Sequence, residues 1–248
     1  MQTTPSSAPK PRAEIVRLEI TRLPKLTLWR NILRRLIMAA ARLLVWLFIR
    51  VEAQGQENFP LKGPSLIVAN HLGDADVVVG LTIIPKAVDS LAKSELFDYP
   101  ILGKLMDAYG VVWVHRGQPD RRALRIAKGI LQENRILAIA PEGRESLSGS
   151  LEEGTRGAAY LALETDAPLL PVTFTGTEND TIYSNLKRLR RSTVSVTIGP
   201  VFRLEREGGG RESIDRGTQK IMATLAQQLP ENYRGVYQTS QGSINVDK

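Results

Sequence analysis

The sequence predicts an α/β fold, with a mixed, largely parallel sheet covered by helices on both faces. Three observations carry this expectation. Short, almost continuously apolar runs recur at 65–69, 88–92, 111–115, 136–140, 169–174 and 193–198, the pattern of strands buried on both sides. Between them lie amphipathic stretches at 74–84, 99–109, 120–133, 153–164 and 213–228, which read as helices. At 248 residues the chain can bury one substantial core and carry a small appendage.

In chain order, residues 1–25 are rich in Ser, Thr, Pro and basic side chains and read as a disordered basic tail. Residues 26–50 read as an amphipathic helix. Trp29, Ile32, Leu33, Leu36, Ala40, Leu43, Leu44 and Leu47 follow an i, i+3, i+4, i+7 rhythm and form one apolar face. Arg30, Arg34, Arg35 and Arg42 fall on the other half of the wheel. The segment starts too late for a signal peptide, and no small-residue cleavage site follows it. Residues 36–49 would rise only ~21 Å at ~1.5 Å per residue, short of a ~30 Å hydrocarbon core. Arg42 near the centre would add roughly 2.5–3.5 kcal/mol on insertion. A helix lying in the headgroup layer of an anionic membrane fits both pattern and charge. The alternative is a helix that packs its leucine face on the body; a helix bridging body and bilayer satisfies both. Residues 51–235 then form the folded domain and 236–248 a flexible tail.

Composition narrows the chemistry. The chain has no cysteine, so disulfides, thiolate metal sites and a cysteine nucleophile are excluded. With His71 and His115 as its two histidines, a histidine-rich metal site is not expected. The net charge of +7 suggests nucleic acid or an anionic membrane as partner. Residues 1–50 hold ten Lys and Arg against Glu14 and Glu19, a net +8, so residues 51–248 carry −1. A near-neutral body and an apolar helix face opposite the arginines argue for a membrane and against nucleic acid. The cluster Lys187-Arg188-Leu189-Arg190-Arg191 reads as a solvated loop, or as one that touches phosphate or lipid headgroups.

The chemistry gathers at strand ends. The run 66–69 stops at Asn70-His71, and a second apolar run resumes at Val77. Gly73 allows a tight turn between them, and Asp74 and Asp76 suit the first turn of a following helix. His71 then stands at a strand-to-helix corner with Asp76 folded back beneath its ring. A histidine that removes a proton near neutral pH needs such a partner to fix its tautomer and stabilise its charged form. After 111–115 comes Arg116, at a strand end that faces the ligand crevice of such sheets; a guanidinium there can grip a phosphate with two hydrogen bonds, and the alternative is an ordinary surface arginine. His115 is read as structural, since no carboxylate is evidently placed to orient it. After 136–140 comes Pro141-Glu142-Gly143-Arg144-Glu145-Ser146, charged groups around a glycine that lets the backbone approach a ligand.

Asn70-His71 with Asp76 (H-x4-D), Gly110-x5-Arg116, Pro141–Ser146 and Pro168-Leu-Leu-Pro171-Val172 together resemble, in order, the four blocks of the glycerolipid acyltransferase family of PlsC-like type. The resemblance covers roughly residues 55–205, and Ala92-Lys93-Ser-Glu95-Leu96 matches a further family segment. The third block departs from the family's Pro-Glu-Gly-Thr-Arg-Ser: Arg144 takes the usual threonine position and Glu145 the usual arginine position. The resemblance implies O-acyl transfer from an acyl thioester, acyl-CoA or acyl-carrier protein, to the free hydroxyl of lysophosphatidic acid, giving phosphatidic acid. It implies His71 as general base, Asp76 as its orienting partner, and Arg116, Glu142, Gly143, Arg144 and Lys93 at the acceptor. Backbone N–H groups near Gly143 would support the oxyanion, and Pro171 and Val172 would lie on the acyl-donor side. No metal or other cofactor is implied. The enzyme would sit at the cytoplasmic face of the cell membrane, peripheral or monotopic. Other acceptors, glycerol 3-phosphate or another lysophospholipid, remain open, as does a catalytically inactive membrane lipid-binding protein.

Overall fold

The computed structural model describes residues 19–60, 62–115 and 120–238. The first and last stretches expected to be loose, 1–18 and 239–248, lie outside the described residues. Ile20, Thr21 and Pro24 are buried against the body, so the folded part begins before residue 25. Val236 and Tyr237, expected in the tail, form a turn whose Val236 N–H donates to Leu151 O.

Thr27 caps helix α1 (Leu28–Phe48), its hydroxyl accepting the Arg30 N–H at 3.2 Å. The chain passes without a turn into strand β1 (Ile49–Gln54). There follow β2 (Ser65–Ala69), α2 (Asp74–Ile83), β3 (Asp89–Lys93), α3 (Leu102–Tyr109) and β4 (Val112–Val114). The second half comprises α4 (Arg121–Gln132), β5 (Ile136–Ile139), α5 (Gly157–Thr165), β6 (Leu169–Thr175), α6 (Asn179–Lys187), β7 (Ser192–Ile198) and α7 (Gly210–Gln228). The strands form one seven-stranded sheet in the order β1-β7-β6-β2-β5-β3-β4. Strands β2 to β6 run parallel; β7 is antiparallel to β6, and β1 is parallel to β7. β1 and α6 were not among the expected elements.

Alternation along β2 explains both layers. Leu66 and Val68 face a core built with α4, α5 and α7, including Ile130, Leu161, Ile221 and Leu225. Ile67 faces the opposite core with α1 and α2, including Val45, Val79, Leu170 and Val194. Every one of these side chains is buried, as a sheet covered on both faces requires.

Helix α1 turns a different face to the body from the one its leucines suggest. Its buried stripe is Arg34, Met38, Ala41 and Val45, while Leu36, Leu43, Leu44, Trp46 and Leu47 are exposed and Trp29 is 72% exposed. Small side chains let the helix lie close on α2. Arg34, placed on the polar half by periodicity, is 2% exposed because Asp89 needs it. Its Nη2 lies 2.5 Å from Asp89 Oδ1, and its Nε donates to Tyr109 O at 2.7 Å. Arg135 holds both oxygens of the same carboxylate, at 2.6 and 2.8 Å, and donates to Pro24 O at 3.0 Å. Removing one partner from such a buried set strands a charge. The leucine face is therefore not the packing face, and α1 cannot be cut away without opening the body. No helix among the described residues is long and apolar enough to cross a membrane.

Candidate active site

A crevice forms where connections from adjacent parallel strands leave to opposite faces of a sheet. Here that happens between β2 and β5: α2 lies on the α1 face, α5 on the other. Strand β2 stops cleanly because Asn70 behaves as one more rung. Its Nδ2 donates to Phe174 O at 2.9 Å, and its Oδ1 accepts the Phe174 N–H at 2.8 Å.

His71 follows at the corner, and its Nδ1 lies 2.9 Å from Asp76 Oδ2. That oxygen also accepts the N–H groups of Leu72 (2.7 Å) and Gly73 (3.0 Å). Asp76 is the third residue of α2, so it reaches back over the N-cap as in one half of a capping box. Gly73 is needed because a Cβ there would come within 2.5 Å of Thr177 O and 2.8 Å of Asn179 Oδ1. Three donors converging on one carboxylate oxygen place the histidine proton on Nδ1 and make Nε2 the basic nitrogen. Asp76 Oδ1 is buried with no hydrogen-bond partner among the described residues.

The loop after β5 braces this turn. Glu142 accepts the His71 N–H on Oε1 (3.2 Å) and the Glu152 N–H on Oε2 (2.8 Å). Burial pushes its carboxyl up to about 7, against the pull of those two donors. The Ser146 N–H donates to His71 O at 2.7 Å. Gly143, at φ +76°, makes the turn, and its N–H donates to Ala140 O at 3.0 Å. That bond removes the Gly143 N–H from the donors expected to face an oxyanion.

His71, Asp76, Glu142, Gly143 and Arg144 line a cavity of about 1540 Å³ at the carboxyl ends of the strands. Its walls toward α2 are apolar, with Val77, Leu81, Ile84, Val172 and Phe174. Arg144 is half-exposed and gives Nε and Nη2 to Glu152 Oε2 at 3.0 and 2.7 Å. Glu145 does not line the cavity; it accepts from Asn179 Nδ2 at 2.7 Å. Arg156 lines the cavity and is paired with Asp215. Lys93 and Pro171 do not line the cavity, whereas Val172 does. Arg116 lies outside the described residues. Among the described residues no group of three His, Cys, Asp or Glu side chains is arranged to hold a metal ion.

The reason for reading His115 as structural needs correction, since a carboxylate does stand beside it. Asp120 Oδ2 accepts the His115 N–H at 3.2 Å and lies 3.6 Å from its Nδ1. His115 and Asp120 line the same cavity. The signal was in the sequence, because His115-x4-Asp120 repeats the spacing of His71-x4-Asp76.

Fold and site together define an α/β domain with a carboxylate-held histidine at the carboxyl edge of its sheet. Residues 50–175 match the Acyltransferase family model, and the chain belongs to that family. A 1-acyl-sn-glycerol-3-phosphate acyltransferase of Cocos nucifera is 25% identical over 78% of this chain and 62% of its own length. One from Borreliella burgdorferi is 29% identical over 58% of this chain and 59% of its own. The chain thus spans 44–62% of the length of such relatives. The crystal structure of the 1-acyl-sn-glycerophosphate (LPA) acyltransferase PlsC from Thermotoga maritima superposes with a TM-score of 0.64. It covers 80% of each chain at 23% identity, a likeness of fold.

Proposed function

We propose that this chain transfers an acyl group from a thioester, acyl-CoA or acyl-carrier protein, to the free hydroxyl of lysophosphatidic acid. The observation that carries this reading is the His71–Asp76 pair, 2.9 Å apart, lining a cavity with apolar walls. The names of the relatives support the acceptor.

His71 Nε2 takes the hydroxyl proton as the oxygen attacks the thioester carbonyl, and Asp76 stabilises the imidazolium that forms. The tetrahedral centre collapses with loss of the C–S bond, and the proton on Nε2 passes to the leaving thiolate. The products are phosphatidic acid and a free thiol, with no acyl-enzyme and no step that requires a metal. Arg144 leaves Glu152 to hold the acceptor phosphate, which places the hydroxyl for attack. Val172 and the α2 wall take the acyl chain of the donor. The exposed face of α1 and the +8 charge of residues 1–50 hold the enzyme on the cytoplasmic face of the cell membrane.

The test is turnover by the purified full chain with acyl-CoA or acyl-carrier protein and a panel of lysophosphatidic acid, glycerol 3-phosphate and lysophosphatidylcholine. Preference for either of the last two overturns the acceptor, and transfer to none of them overturns the activity. Arg144→Ala should raise KM for lysophosphatidic acid about ten- to a hundredfold, the loss of one hydrogen bond to a charged group, and leave KM for the donor unchanged. An unchanged acceptor KM overturns the phosphate role of Arg144.

A further inference from the structure

The antiparallel step between β6 and β7 has a consequence at the active-site edge. Strands β2 and β6 end there, so β7 begins there, and β1, parallel to β7, begins there too. The loop before β7 and the C-terminal end of α1 therefore share an edge of the sheet with His71. Arg191 joins them, its Nη2 donating to Ile49 O at 3.0 Å. The helix leading into this loop, α6, is fixed to the catalytic turn. Asn179 Oδ1 accepts the Asp74 N–H at 3.0 Å, and the Tyr183 hydroxyl donates to Asp74 Oδ2 at 2.7 Å.

Helix α6 ends in a paired cap in which Leu189 N–H donates to Leu186 O and Arg190 N–H to Asn185 O, at 3.0 and 2.9 Å. Such a cap puts its central residue in the left-handed region, where glycine is favoured; here it is Leu189, at φ +52°. Leu189 is also 85% exposed, so burial does not offset the strain. Lys187, Arg188, Arg190 and Arg191 surround it, all exposed and none in an ion pair among the described residues. The fold gains nothing from a strained, exposed leucine among unneutralised cations, whereas the interface of an anionic bilayer suits both.

We propose that residues 187–191 are a membrane contact of the folded body, taking anionic lipid headgroups on the basic side chains while Leu189 enters the acyl boundary. The contact works with the exposed Leu43, Leu44, Trp46 and Leu47 of α1 to turn the His71 edge toward the bilayer. It rests on the membrane location proposed above and adds a second point of attachment, which fixes orientation where one helix alone leaves rotation free. Nucleic acid would match the cations but not Leu189 or the α1 face.

The full chain should be sedimented with phosphatidylcholine vesicles that contain or lack phosphatidylglycerol. Arg188→Gln with Arg190→Gln should weaken binding to the anionic vesicles by roughly fivefold per charge removed and reduce its salt dependence. Leu189→Gly should weaken vesicle binding while holding or raising the thermal midpoint, because glycine relieves the left-handed residue. A merely structural loop would leave vesicle binding at the parent level. If both variants bind anionic vesicles like the parent, this contact is overturned while α1 docking stands. If the parent binds no vesicle, both fall, and the acyl-transfer assay is unaffected. If the double variant loses DNA binding but keeps vesicle binding, the loop is a nucleic-acid site and the contact is overturned.

Discussion

His71-x4-Asp76 and His115-x4-Asp120 both follow a parallel strand, both open a helix and both line one cavity, yet their carboxylates occupy different helical positions. Asp76 is the third residue inside α2. From there its side chain points back along the turn, and one oxygen gathers the His71 ring at 2.9 Å with two backbone N–H groups. Asp120 stands one residue earlier than its helix, at the N-cap of α4. Its Oδ1 is taken by the N–H groups of Arg122 and Ala123, at 3.0 and 2.9 Å. Its Oδ2 takes the His115 N–H and stays 3.6 Å from the ring nitrogen, beyond a good hydrogen bond. The spacing is the same, but where the helix begins decides whether the carboxylate serves a histidine or a helix end.

The largest effects should separate the two pairs. His71→Ala should lower turnover about 10²–10⁴-fold, the usual worth of a positioned base, whereas His115→Ala should stay within about tenfold. Asp76→Asn keeps the shape but presents a donor to Nδ1, and should lose about 10²–10⁴-fold through the wrong tautomer. Asp120→Asn should leave turnover nearly intact. Comparable losses in both pairs would mean that two histidines share the chemistry.

Glu142 sharpens the contrast, since it reaches the first turn through the His71 N–H. Its carboxyl is raised from 4.5 to about 7 by burial, so the folded state holds this proton more tightly than the unfolded chain. The resulting stability is complete below pH 4.5, declines as pH rises, and is gone above about 7. At its fullest it is worth roughly 3 kcal/mol. Urea unfolding across that range should show the parent's advantage over Glu142→Gln shrinking as pH rises. The glutamine can accept one of the two backbone N–H groups but not both, so some deficit should persist at every pH. A difference independent of pH would mean that Glu142 is ionised throughout.

Much of this was legible in the sequence, and the omissions have physical causes. The strands buried on both faces stood out as apolar runs, and the His71 turn and the loop after β5 stood out as polar residues at their ends. β1 was hidden because Ile49 ends one pattern and starts another with no breaker between. Its alternation Ile49-Arg50-Val51-Glu52-Ala53 is nonetheless a strand signal. α6 buries no residue fully and has few apolar side chains, Ile182, Tyr183 and Leu186, so it gives little to read. Arg34 does lie opposite the leucines, but that this half packs on the body was not legible because its partner, Asp89, is 55 residues away, and local periodicity carries no record of a distant carboxylate. The alternative that the α1 leucines pack on the body fails for the same reason, since those side chains are exposed: which stripe meets the body depends on what the body offers.

The smallest expected effect tests the helix-position argument most directly. As the N-cap of α4, Asp120 should contribute to stability rather than to turnover. Asp120→Ala should cost about 1 kcal/mol, the typical worth of a cap, and lower the thermal midpoint by about 2–4 °C for a chain of this size. Asparagine caps as well as aspartate, so Asp120→Asn should recover most of that loss. Burial alone would raise the Asp120 carboxyl, but the N–H groups of Ala123, His115 and Arg122 outweigh it and hold it below the usual 3.8. Its ionic contribution should thus be complete above that range and fade on acidification below it, a fading that Asp120→Asn should lack. His71→Ala should do the opposite, with activity lost at nearly constant midpoint. If Asp120→Asn instead costs activity at an unchanged midpoint, the second carboxylate orients a working histidine, and the position of the helix start does not separate the two turns.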